Sequence, residues 1–164
     1  MLLTYTRSKH ACAADLPDGN LAVKAAVEET FFAAKVEMKV KIPDLEIGSV
    51  EGVIERCFSA ECTKTTPRLQ QAVGLRIGPG IIKLVNNLVG GSHGCPRLAD
   101  LVLECCEQVI LRYTVDPLGE ILSKEGQELI EAHKKFLRQN PRLINSCIAF
   151  AEGSPLREGV ELDL

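Results

Sequence analysis

The chain has 164 residues, 46% hydrophobic and 25% charged, with a formal net charge of −3 and a pI near 5.7. That composition excludes a disordered segment and suits one domain, residues 1–164. An acidic balance without a basic stripe argues against a nucleic-acid partner, because clustered Lys and Arg carry phosphate recognition.

No apolar run approaches the roughly 18 residues of a membrane span. The opening Met1-Leu2-Leu3-Thr4-Tyr5 lacks a signal-peptide pattern, so the expectation is a cytoplasmic protein with no membrane partner. Seven cysteines without an export signal predict reduced thiols rather than a disulfide framework. With no Trp and two Tyr, the predicted core is aliphatic.

Residues 1–20 read as a loose lead closed by the turn Leu16-Pro17-Asp18-Gly19. Leu21, Val23, Ala25 and Val27 alternate with Lys24 and Glu28, which predicts a first strand. Phe32, Ala34, Val36, Met38, Val40 and Ile42 alternate strictly with polar residues and predict a second. Lys35, Lys39 and Lys41 then fall on its wet face, not in a binding patch. Val50, Gly52 and Ile54 predict a third strand.

Past Cys57 the period changes. Thr66-Pro67 reads as a helix cap and first helical residue, followed by Leu69, Ala72 and Val73. Ile81, Ile82, Val85, Leu88 and Val89 form a second apolar stripe at helical spacing. The longest helix opens at Cys95-Pro96. Its two adjacent stripes, Leu98-Leu101-Val102-Cys105-Val109 and Ala99-Leu103-Cys106-Ile110, predict burial over most of its circumference. Asp116-Pro117 starts a further helical stretch to Gln139, with Gly126 as a point of interruption, and Leu143 to Ile148 suggest a short last helix. Residues 153–164 read as a frayed tail. Strands first and helices after predict an α+β fold, an antiparallel three-stranded sheet with helices packed on one face.

Cys95 is the leading candidate for chemistry. Pro96 favours the first helical position, which puts Cys95 at the cap, where the helix dipole favours negative charge. Gly90, Gly91 and Gly94 allow the backbone to approach a ligand closely, and His93 offers a donor or a proton acceptor. Cys62 follows Cys57 at a C-x4-C spacing, looser than the C-x2-C of structural zinc sites. Cys105 and Cys106 read as packing residues, as does His133 beside Leu129, Phe136 and Leu137. No phosphate loop, zinc-protease motif or dinucleotide fingerprint occurs.

Cys62, the run Leu69-Gln70-Gln71-Ala72-Val73-Gly74-Leu75-Arg76-Ile77-Gly78-Pro79-Gly80 and the run Gly94-Cys95-Pro96-Arg97-Leu98 together resemble an uncharacterised bacterial family of domains of unknown function (DUF2889-like). That family carries a Gly-Cys-Thr-His-Leu motif opening a long helix. The resemblance extends to Asn145-Ser146-Cys147-Ile148-Ala149, where the family has Cys followed by His. Arg97 and Ala149 stand where the two family histidines would fall. If those histidines bind metal, the set kept here is Cys62, Cys95 and Cys147, with His93 as a compensating donor. Such soft donors imply zinc or iron–sulfur.

The element order also resembles the NifU-like iron–sulfur scaffold fold. The first scaffold cysteine would fall near Phe31–Ala34, where this chain has none. Three functional classes therefore stay open. They are a thiolate metal or iron–sulfur domain, a non-catalytic domain binding a small molecule, a partner or a second copy of itself, and a Cys95 thiol enzyme or persulfide carrier.

Overall fold

The structure, a computed structural model, describes residues 4–160. Its first compact unit ends at Arg112 and its second begins at Tyr113. Four antiparallel strands form the sheet of the first unit: β1 (Arg7–Asp15), β2 (Leu21–Glu29), β3 (Ala33–Lys41) and β4 (Glu46–Arg56). They pair in sequence order, β1-β2-β3-β4. The fold is α+β as expected, but the sheet has four strands where three were predicted. The added strand, β1, lies in the segment read as a loose lead. Its sequence hides it: on an edge strand only Ala11 and Ala13 reach the core, so the apolar alternation is faint.

The other strands follow their pattern. In β3, Ala34, Val36, Met38 and Val40 are buried while Lys35, Glu37, Lys39 and Lys41 are exposed. On that wet face Lys24 meets Glu37 at 2.8 Å, directly opposite it in the β2–β3 register, and Lys35 meets Glu55 at 2.6 Å. Exposed pairs of this kind add little stability, but they settle the strand register at no cost.

The inner face is covered by the part of the first unit that follows β4. First comes a long run of tight 3-10 turns, Ala60–Ala72. It starts earlier than Thr66-Pro67 suggested, because Ser59 caps it, accepting from the Glu61 N–H at 3.3 Å. Pro67 lies inside the run. Gln70 donates from its side chain to the Val50 carbonyl of β4 at 2.6 Å, and Leu69 and Ala72 enter the core. Next are α1 (Ile81–Val85) and a wider π turn, Asn86–Gly90. Ile81, Val85 and Val89 point inward, whereas Ile82 is exposed.

Helix α2 (Pro96–Leu122) begins where predicted, with Leu98, Ala99, Leu101, Val102, Cys105, Cys106 and Val109 all buried. Together these residues and the inner face of the sheet make one aliphatic core.

The second unit holds the end of α2 and helix α3 (Gly126–Gln139). Asp116-Pro117 does not open a new helix. Proline removes one donor from the helix ladder, and α2 continues through it to Leu122. Within α3, Phe136 and Leu137 are buried, and His133 bonds the Leu129 carbonyl at 2.8 Å, the packing role expected of it. The predicted last helix is instead two single 3-10 turns, Pro141–Leu143 and Ile148–Phe150. Residues 153–160 form turns; the remaining four residues of the predicted tail lie outside the described ones. Among the described residues no helix is long and apolar enough to cross a membrane.

One glycine decides how closely the 3-10 run seats on the sheet. A Cβ at Gly52 would stand 2.5 Å from a Leu69 methyl and 2.9 Å from the Lys35 carbonyl oxygen, whereas one at Gly48 would meet nothing closer than 3.4 Å. Gly52→Ala is therefore expected to cost about 1–3 kcal/mol. Gly48→Ala should be near neutral. Thermal unfolding of the two variants side by side checks this, and equal melting temperatures would contradict it.

Candidate functional site

The β2–β3 hairpin builds the site. Glu29 is the fifth inward-facing position of β2, after Leu21, Val23, Ala25 and Val27, so strand parity turns its carboxylate toward the core. It is 3% exposed, the only buried charged side chain among the described residues. Its amide donates to the Phe32 carbonyl at 2.7 Å, closing a turn that carries Phe31 and Phe32. Thr6 and Thr30 bond each other through Thr6 N to Thr30 Oγ1 (2.9 Å) and Thr30 N to the Thr6 carbonyl (3.2 Å), which holds Tyr5 beside that turn.

A buried carboxylate needs partners, and Glu29 has two. Arg7 of β1 donates from Nε to Oε1 at 2.5 Å, and Arg97 in the first turn of α2 donates from Nη1 to the same oxygen. Burial alone would raise the Glu29 pKa. The Arg7 hydrogen bond, the Arg97 charge and the Tyr5 hydroxyl outweigh it and hold the carboxyl below the usual glutamate range. Arg56 of β4 adds a bond from Nη2 to the Glu29 backbone carbonyl, at 2.7 Å, and pairs with Glu28 at 3.1 Å. The Arg97 guanidinium also sits over the Phe32 ring, 5.9 Å from its centroid.

Around these groups lies a cavity of about 520 Å³. Its apolar wall comes from Tyr5, Phe31, Phe32 and Phe58, four of the chain's seven Phe and Tyr residues. Phe31 is 69% and Phe58 88% exposed, so both rings stand open to whatever enters. Cys62 and Thr65 line it from the 3-10 run, and Gly94, Cys95, Pro96 and Arg97 from the start of α2.

The Gly94–Cys95 corner is set by crowding. A Cβ on Gly94 would fall 1.8 Å from the Gly90 carbonyl oxygen and 2.0 Å from that of Val89, so no other residue fits there. Cys95 N–H then donates to Val89 O at 3.0 Å, and the Cys95 carbonyl accepts the first α2 bond, from Ala99 at 3.0 Å. Cys95 thus occupies the cap position expected from Pro96.

Of the six residues singled out by sequence, Cys62, Gly94, Cys95 and Arg97 line one cavity. His93 is exposed and is not part of its lining. Cys147 is an exposed thiol of the second unit. Among the described residues no three His, Cys, Asp or Glu side chains gather closely enough to hold a metal ion. Cys105 and Cys106 are core thiols pushed up by burial to about 12 and about 11, far from the thiolate form at neutral pH. All seven cysteines are free thiols.

Glu29 and the aromatic wall of Tyr5, Phe31, Phe32 and Phe58 carry no site signal in the sequence analysis. Glu29 could have been found by extending the β2 alternation one step past Val27. Phe58 sits in a loop, where no periodicity marks it.

The profile of a family described as proteins of unknown function (DUF2889) matches residues 10–111. The chain belongs to that family. The match spans β1 to α2, ends within one residue of the first unit's boundary, and stops short of Cys147. No curated protein and no solved structure matches the chain.

Because Glu29 titrates below its ordinary range when folded, the unfolded chain takes up that proton more readily. The stabilisation is complete above the ordinary value of about 4.3 and is lost as pH falls through the lower folded value. Glu29→Gln should therefore be less stable than wild type at neutral pH, by about 2 kcal/mol, with the gap closing as the solution is acidified below about pH 4. Urea unfolding of both proteins between pH 7 and pH 3 measures this; a gap independent of pH would contradict it.

Proposed function

We propose that this member of the DUF2889 family is a binding domain that takes a small molecule with an apolar body into the Tyr5–Phe31–Phe32–Phe58 cavity. One observation carries the reading. A chain with an aliphatic core concentrates most of its aromatic rings around a single opening, two of them largely exposed. The cavity's volume lies in the range of small-molecule sites, roughly 300–1,000 Å³, and a few polar groups interrupt an otherwise apolar lining, as such sites require. Rings so exposed add little to the core, and the apolar body of a bound ligand would cover them. His93, the candidate base for a Cys95 nucleophile, is not part of the lining, which favours binding over thiol catalysis.

N-phenyl-1-naphthylamine, a neutral aromatic probe that fluoresces in apolar surroundings, tests the reading. It is expected to bind at one site per chain. Phe31→Ala combined with Phe58→Ala removes two exposed rings worth about 0.5–1.5 kcal/mol each and should weaken binding about tenfold without altering the fold. Unchanged affinity in the double variant would contradict the assignment.

A second reading rests on the two thiols that line the same cavity, Cys62 and Cys95. As a pair of soft donors they suit zinc or an iron–sulfur cluster. Protein purified without oxygen is then expected to carry near-stoichiometric zinc or the visible absorption of a cluster, and Cys95→Ser to lower that content. Metal-free wild type, or unchanged content in the variant, would remove this reading.

A further inference from the structure

The charges around the cavity do not balance, and the imbalance names a ligand class. Two guanidinium groups, Arg7 and Arg97, converge on one carboxylate, Glu29, and this cluster keeps one positive charge. Glu61 on the cavity rim is paired with Lys64 at 2.6 Å, and Arg56 with Glu28 at 3.1 Å. Of the two arginines, Arg97 is the one that lines the cavity. Its contact with Glu29 uses Nη1. A guanidinium has five N–H donors in a planar fork, so Nε and Nη2 remain to meet a second acceptor. Phe32 beneath the guanidinium and Glu29 beside it hold that fork in place, which lowers the ordering cost of binding.

We propose that the cavity selects an organic anion, a carboxylate or sulfonate on an apolar body, with its charged group on the free edge of Arg97 and its body among the Phe and Tyr rings. This rests on the small-molecule reading above and adds its selectivity. Glu29 has a double role in it. The carboxylate orients Arg97 and at the same time competes with the ligand for it.

The test uses two probes that differ by one sulfonate: neutral N-phenyl-1-naphthylamine and anionic 8-anilinonaphthalene-1-sulfonate. Both are titrated by fluorescence into the full chain at neutral pH and moderate salt. Wild type is expected to bind the sulfonate about tenfold tighter, since a hydrogen bond to a charged group contributes about 1.5–3 kcal/mol, a factor of at least ten. Arg97→Gln should bring the two probes to similar affinity while neutral-probe binding persists. Glu29→Gln should move the other way and widen the preference for the sulfonate, because the competing carboxylate is gone. A merely structural ion pair predicts that both variants shift the two probes together.

Equal affinity for the two probes in wild type, or a preference that survives Arg97→Gln, overturns the proposal. So does a Glu29→Gln protein that is folded and shows no widened preference. If neither probe binds wild type, the small-molecule reading itself is what fails.

Discussion

The buried carboxylate of Glu29 is the constraint on which the rest of the site depends. It lies at the inward end of β2, and a lone charge there would cost several kcal/mol. Its partners come from separate parts of the chain: Arg7 from the edge strand β1 and Arg97 from the first turn of α2, with Arg56 of β4 on its backbone carbonyl. One residue therefore ties both outer strands and the start of the long helix to one hairpin, β1 and α2 through its carboxylate and β4 through its backbone carbonyl. Without that tie, β1 would rest on strand pairing, two alanines and the ion pairs Lys9–Glu104 and Asp15–Arg112, and Arg97 would lose its fixed partner. The price of this arrangement is a buried ionised group, and its result is a fixed guanidinium at the mouth of an apolar cavity.

Much of the first unit was legible in the sequence because burial there is one-sided. Period-two alternation identifies β2, β3 and β4, and the double stripe from Leu98 to Ile110 identifies α2 and its burial. The capping role of Cys95 follows from Pro96 alone. What was hidden has physical reasons. The edge strand β1 turns only Ala11 and Ala13 toward the core, so its amphipathic signal is faint. The Ala60–Ala72 run folds as 3-10 turns, whose period does not match a helical stripe and which tolerate Pro67. Pro117 reads locally as a start, yet a helix already formed on both sides continues through it.

The site was half legible for a similar reason. Cys62, Gly94, Cys95 and Arg97 were singled out by residue type and by motif, and they do line one cavity. The aromatic wall was not, because Tyr5, Phe31 and Phe58 lie in connecting segments, where function concentrates but periodicity is absent. Arg97 was noticed as a departure from a histidine motif. Its consequence became visible only once Glu29 was found beneath it. A guanidinium brings a permanent charge where an imidazole would titrate.

The fixed cation at the cavity depends on Glu29 and Arg97 acting on each other directly. A double-mutant cycle measures this: urea unfolding of wild type, Glu29→Gln, Arg97→Gln and the double variant at neutral pH. A coupling of about 1–3 kcal/mol is predicted, because the pair shares a buried carboxylate oxygen. Additive effects, within about 0.3–0.5 kcal/mol, would mean that Arg97 is not held by Glu29, and the cavity would lose its fixed cation.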